Sequence, residues 1–198
     1  MRRIMKKAKR IKVLVVTPEI TYLPEGMGNI ANKLSAKAGG MADVSASLVS
    51  ALFQRGVDVH VALPHYRRLF HVELADLLDK HLDEYNRKLR MEADGEVRIH
   101  LAEDRTFYYR DQVYPSYSSD STNMSLVFQR EVINNIIPQV EPDLIHCNDW
   151  MTGLVPGFAR RLGIPSLFTV HNIHTMETTL ENIENHGIDT ALRSEAHV

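Results

Sequence analysis

A single cysteine, Cys147, stands in 198 residues. One thiol cannot close an internal disulfide, which excludes a small secreted scaffold stapled by bridges and fits a reducing, cytoplasmic setting. Long hydrophobic runs are missing as well. The apolar stretch Val13–Val16 behind the basic start is too short for a secretory h-region or a membrane span, so no membrane partner is expected. Acidic residues are absent from positions 1–12, where Arg2, Arg3, Lys6, Lys7, Lys9, Arg10 and Lys12 supply seven basic side chains. Setting those seven aside from a net charge of −2 leaves the remainder near −9, a charge unsuited to gripping nucleic acid. Residues 1–10 therefore read as a solvated basic tail. There is also no G-x-S-x-G elbow, no P-loop and no nucleophile context around Cys147.

What is present can build a core: 44% of residues are hydrophobic and 24% charged. At this length the chain is one ordinary domain or half of a two-domain enzyme. Ile11–Thr17 is a β-branched run ending at Pro18 and reads as a strand buried on both faces. A polar, glycine-containing stretch from Glu19 to Ala38 follows, long enough to suggest a functional loop. Gly39-Gly40 opens a helix with Val44, Leu48, Ala51 and Leu52 on one stripe and Gly56 as its stop. Val57–Leu63 is a second strand, which completes a βαβ unit and implies a parallel sheet with a right-handed crossover.

The middle is less regular. A helix is expected over 69–82, short strands around 87–91, 96–102 and 106–110, and a hairpin turn at Asp94-Gly95. Tyr114 to Asn123 reads as loop, with a helix from about Asn123 to Ile137. The α/β alternation then returns: a strand at 143–147, a helix over 151–162 and a strand at 165–171. The tail from Thr175 onward has some helical character.

Three motifs lie at predicted strand ends, where open α/β sheets bind ligands. In the first, Lys37-Ala38-Gly39-Gly40-Met41-Ala42-Asp43, a helix N-terminus offers free N–H groups, glycine permits close approach, and Lys37 adds a mobile cation. A phosphate or pyrophosphate suits it, although Gly-Gly also makes ordinary turns. The second is His146-Cys147-Asn148-Asp149-Trp150, where Asp149 reads either as a ligand group or as a helix cap. The third is His171-Asn172-Ile173-His174, able to hydrogen-bond a polyhydroxylated ligand or steady developing charge. A metal site can be sketched from His146, Asp149, His171 and His174. That His-x-x-His spacing is common by chance and nothing else supports it, so no metal is expected. Gly26-Met27-Gly28-Asn29-Ile30-Ala31 has the letters of a dinucleotide fingerprint but sits too far beyond its strand, and no carboxylate closes the second strand.

Together these motifs resemble the bacterial glycogen synthases and plant starch synthases, glucosyltransferases of the GT-B fold. Lys37–Val44 is similar to that family's K-T-G-G-L-A-D-V, and Gly56–Val59 with Leu63-Pro64 to its G-x-x-V…L-P. His146–Leu154 is similar to H-x-H-D-W-x-x-G-L, with Asn148 in place of the second histidine, and Phe168–Ile173 to F-T-V-H-N-L/I. The family's Gln-Gly turn after that last segment is replaced by His174-Thr175-Met176.

The resemblance implies a Rossmann-like three-layer α/β/α domain with a mostly parallel sheet over 11–198, the amino-terminal half of a GT-B fold. It implies transfer of glucose from ADP-glucose or UDP-glucose to the non-reducing end of an α-1,4-glucan with retention, without a cofactor. It assigns Lys37, Gly39 and Gly40 to the donor phosphates, with Asp43 as support. It sets Asp149 on sugar hydroxyls and His171 beside the reacting carbon, with Asn172 in the same motif and Tyr117 as a weaker sugar contact. The donor-binding carboxyl-terminal domain of that family, with its lysine, arginine and paired glutamates, is expected to lie outside this sequence, as is the end of the amino-terminal domain. The chain alone is then expected to be inactive. The competing expectation is a stand-alone, non-catalytic module that binds glucan or a protein partner.

Overall fold

The computed structural model describes residues 10–28, 31, 34–70, 97–114, 118–173 and 177–191. Among the described residues five strands make one sheet in the order β3-β2-β1-β4-β5, every neighbouring pair parallel. They are β1 (Lys12–Val16), β2 (Asp58–Pro64), β3 (Ile99–Ala102), β4 (Leu144–Asn148) and β5 (Ser166–Thr169). The helices are α1 (Gly40–Gln54), α2 (Arg105–Tyr108), α3 (Ser118–Glu131), α4 (Ile137–Val140), α5 (Val155–Arg161) and α6 (Leu180–Asn185). From β1 the chain winds outward through β2 to β3, then returns to lay β4 and β5 on the other side. Right-handed crossovers in those two directions set α1 and α5 on opposite faces of the sheet, the doubly wound arrangement expected from the βαβ grammar.

The central strand is apolar because it is covered on both faces. Leu14, Val15 and Val16 are fully buried, each contributing about 1.5–3 kcal/mol of transfer free energy. Five expectations need correction or completion. The buried stripe of α1 is Met41, Ala42, Ser45, Ala46 and Val49, whereas Val44 is 51% exposed. The small side chains let the helix lie close to the sheet, and the Thr17 and Ser45 hydroxyls meet at 3.0 Å in the contact. The long loop after β1 is not polar throughout: Ile20, Leu23, Met27, Ala31, Leu34 and Ala36 are buried, and Ile20 pairs antiparallel with Ala36. These side chains join the main hydrophobic core rather than facing water.

The expected strand at 106–110 is instead α2, because the Asp104 side chain caps the Thr106 N–H at 2.8 Å and starts a helical turn. The helix expected from Asn123 begins earlier, at Ser118, and runs past Pro138. Pro138 has no N–H, and its ring crowds the carbonyl of the preceding turn. The helix absorbs this by widening to a π turn over Val132–Ile136, and it ends at Glu141 with φ +50°. Finally, the helix expected over 151–162 is split: a 3-10 turn, Trp150–Thr152, precedes α5. The helix expected over 69–82 (all but Leu69 and Phe70), the strand at 87–91, the Asp94-Gly95 turn, most of the basic tail, Tyr117 and His174 lie outside the described residues.

Candidate active site

The strand order reverses between β1 and β4, so the connections leaving the carboxyl ends of these two strands run to opposite faces of the sheet, the place where a crevice is expected. Open α/β sheets bind ligands there. Two of the three sequence motifs line it. Asn148 ends β4 with 1% exposure, and its Nδ2 donates across the reversal to the Val16 carbonyl at 3.3 Å. Its Oδ1 lies 3.0 Å from His171 Nε2. Asp149 follows, 5% exposed, and its Oδ1 accepts from the Asn172 N–H at 3.3 Å. Asn148, Asp149, His171 and Asn172 are thus drawn together from two strand ends, as their positions in sequence suggested.

Asp149 is held in an unusual backbone conformation, φ +63° and ψ −179°. That region is almost reserved for glycine and costs an ordinary residue about 1–3 kcal/mol. Three contacts hold it: its N–H donates to the Thr169 carbonyl at 2.9 Å, and its carbonyl accepts from the Thr152 N–H at 3.0 Å and the Thr152 hydroxyl at 2.9 Å. The alternative of Asp149 as a helix cap is not what is found, since its side chain makes no capping bond to the 3-10 turn. Beside it, His146 Nε2 meets the Thr169 hydroxyl at 2.8 Å. Burial, and then the neighbouring His171, holds the His146 pKa below the ordinary histidine value. Burial pushes the Cys147 thiol up to about 12 against an opposing hydrogen bond from Thr152, so it stays protonated at neutral pH.

The glycine loop flanks the same crevice. Neither glycine is demanded by the fold. Gly39 is extended at φ −152°, a Cβ there would only touch Glu19 Oε1 at 3.7 Å, and a Cβ on Gly40 would meet nothing. Glycine with no internal reason is consistent with a surface kept clear for a close approach. Lys37 Nζ donates to Asp43 Oδ2 at 2.8 Å, and both side chains are about half exposed. The Lys37 bond first, and then a 2.6 Å bond from the Thr21 hydroxyl, hold the Asp43 carboxyl below its ordinary value.

Two participants escaped the sequence reading. Glu19, 1% exposed, accepts from the Ala38 N–H at 2.6 Å and the Gly39 N–H at 3.0 Å, so a resident carboxylate already holds two amides of the proposed anion loop. Tyr114 hydrogen-bonds to Glu19 and stacks obliquely on Trp150 with centroids 6.3 Å apart. Burial, then the Glu19 and Asp149 charges, raise its phenol pKa far above the usual value. Glu19 and Tyr114 therefore join the glycine loop to the Asp149 corner. The one signal for Glu19 was a carboxylate just past a strand end. Tyr114 gave none, sitting at the edge of what reads as polar loop.

Geometry of this kind defines a class: a doubly wound α/β domain with a cluster of polar groups at its topological switch point. The family model of the starch synthase catalytic domain matches residues 12–195. A glycogen synthase of Moorella thermoacetica is 32% identical over 190 residues, covering 88% of this chain and 36% of that protein. Glycogen synthase 2 of Geobacter sulfurreducens is 32% identical over 185 residues, 82% of this chain and 35% of its own length. A glycogen synthase of Exiguobacterium sibiricum is 31% identical over 156 residues, 69% and 32% respectively. The chain belongs to the starch synthase catalytic domain family, as the motifs implied, and spans about a third of the length of the curated relatives it matches. Among the described residues no helix is long and apolar enough to cross a membrane.

Proposed function

We propose that this chain is the amino-terminal domain of a cytoplasmic, glycogen synthase-like retaining glucosyltransferase. It would work with a carboxyl-terminal donor-binding domain to move glucose from ADP-glucose or UDP-glucose to the non-reducing end of an α-1,4-glucan. The observation that carries the reading is the convergence of Asn148, Asp149, His171 and Asn172 on the crevice beside the Lys37–Asp43 loop. In this reading Lys37 leaves Asp43 to meet the donor phosphates, with Gly39 and Gly40 letting them approach the start of α1. Asp149, whose Oδ1 is engaged by Asn172, offers Oδ2 to sugar hydroxyls. His171 stands beside the reacting carbon, and Tyr117 adds a sugar contact. No cofactor is required, because the step depends on positioning the sugar and stabilising developing positive charge against a diphosphate leaving group. Alone, half a cleft neither excludes water nor holds the donor, so the isolated chain is expected to be inactive.

The test is reconstitution. Supplying the remaining two thirds of a relative should give incorporation of labelled glucose into glycogen from ADP- or UDP-glucose. No incorporation by a folded complex would overturn the proposal. A second reading, a non-catalytic glucan-binding module, is favoured by one feature: Glu19 already occupies the Ala38 and Gly39 amides where a phosphate would be sought. Calorimetry separates the two, because maltooligosaccharide binding by a chain that never transfers glucose after reconstitution would favour the module.

A further inference from the structure

Asn148 is caught between two groups of different character. On one side is the Val16 carbonyl oxygen, 3.3 Å from the amide nitrogen; on the other is His171 Nε2, 3.0 Å from the amide oxygen. A backbone carbonyl only accepts hydrogen bonds, so the amide must turn its NH2 toward Val16. Reversing the amide would set two oxygens against each other in a site with 1% exposure. The amide oxygen therefore faces the imidazole, and it too only accepts. His171 Nε2 must carry a proton. A neutral imidazole has one N–H, so the lone pair resides on Nδ1.

We propose that Asn148 is a positioning residue that locks His171 in the Nε2–H tautomer and leaves Nδ1 as its only acceptor. The neighbouring His146 supplies a built-in contrast. Its Nε2 meets the Thr169 hydroxyl, which donates or accepts with equal ease, so that contact does not select a tautomer. His146 lies within β4 and His171 two residues past β5, on adjacent parallel strands where Asn148 is register partner of Thr169. Among the contacts of the described residues, it is His171 that meets a group of fixed polarity. The consequence for recognition rests on the proposed sugar role of His171: a ring with Nδ1 bare receives a hydroxyl proton rather than offering one. The tautomer itself depends only on the protein.

Long-range proton–nitrogen NMR of the uniformly 15N-labelled full chain, without ligand and above the histidine titration range, reads the tautomer directly. His171 signals are assigned by their loss in His171→Gln. The wild-type chain should show His171 wholly as Nε2–H, with a slowly exchanging Hε2 resonance. Asn148→Ala, checked for folding by its methyl spectrum, should lose that resonance, and Asn148→Asp, which keeps an acceptor oxygen toward the ring and meets the Val16 carbonyl through a protonated second oxygen, should retain it. An Nδ1–H tautomer in the wild type would overturn the proposal, and so would an unchanged Hε2 signal in folded Asn148→Ala. Should Asn148→Ala fail to fold, the wild-type tautomer and the Asn148→Asp spectrum still decide. Because no ligand is present, failure of glucose transfer after reconstitution leaves this result standing, and a wrong tautomer counts against Asn148 alone.

Discussion

At the scale of single residues the crevice stores strain where it keeps its polar groups. Asp149 has φ +63° and ψ −179°, a conformation that glycine adopts freely and other residues resist. Replacing it with glycine or with alanine removes the same carboxylate, but only glycine also relieves the backbone. Asp149→Gly should therefore be more stable than Asp149→Ala by about 1–3 kcal/mol in urea unfolding, and both should lose sugar binding. Equal stability would show that the backbone is not strained there. His146 tests the electrostatics of the same corner. Its pKa is depressed by burial and then by His171, so the unfolded chain takes up this proton more readily than the folded one. Its effect on stability is absent above the ordinary histidine value of about 6.5, grows unfavourable as pH falls from there toward the lower folded value, and is constant below it. NMR titration should place His146 below that ordinary value, and His171→Ala should raise it part of the way back while burial keeps the rest.

At the scale of elements, α1 begins with a residue its own fold does not require. Gly40 is helical and has open space where a Cβ would lie. Gly40→Ala should raise stability by about 0.4–1 kcal/mol, chiefly by restricting the unfolded chain. If the glycine is kept for ligand approach, the same change should weaken nucleotide-sugar binding in the reconstituted enzyme. Greater stability with unchanged binding would remove the glycine from the site. How much was legible beforehand follows from how local each signal is. β1, β2 and β4 were readable because a strand buried on both faces writes itself as a continuous apolar run, β5 because Leu167 and Phe168 keep the same apolar letters although they are exposed, and Asn148, Asp149 and His171 because they end or follow such runs. The buried face of α1 was misread because apolarity marked Val44 and Leu48, while close packing on the sheet selects small Ala42, Ser45 and Ala46. The helical turn at Arg105–Tyr108 hid behind aromatic, β-favouring letters that the Asp104 cap overrode. Glu19 and Tyr114 were out of reach because their role is a contact between segments roughly a hundred residues apart, which no periodicity records.

At the scale of the molecule the sheet is finished on one side of its crevice and bare on the other. A parallel sheet is normally covered on both faces, and β1 obeys this with its buried valines and leucine. β5 does not: it is the edge strand beside β4, with Leu167 54% and Phe168 39% exposed on opposite faces, and Val170, just beyond its end, 59% exposed. Among the described residues no strand pairs with the outer edge of β5, so its apolar side chains coincide with a row of backbone donors and acceptors along one strip. In a purified sample of this chain a second copy is the occupant at hand, and two β5 edges are self-complementary about a two-fold axis. Sedimentation equilibrium should therefore show concentration-dependent dimerisation. Leu167→Lys combined with Val170→Lys should abolish it while changing the unfolding temperature little, because both side chains are already in water and lose little burial. A chain that stays monomeric up to the highest soluble concentration would show that this edge is tolerated as free surface. Dimerisation unaffected by the double lysine variant would place the contact elsewhere. In a reconstituted enzyme the same pair of lysines discriminates further: if the added polypeptide covers β5, they should weaken its association as well, and competition between that polypeptide and self-association would be visible as dimer converting to heterodimer at constant total chain.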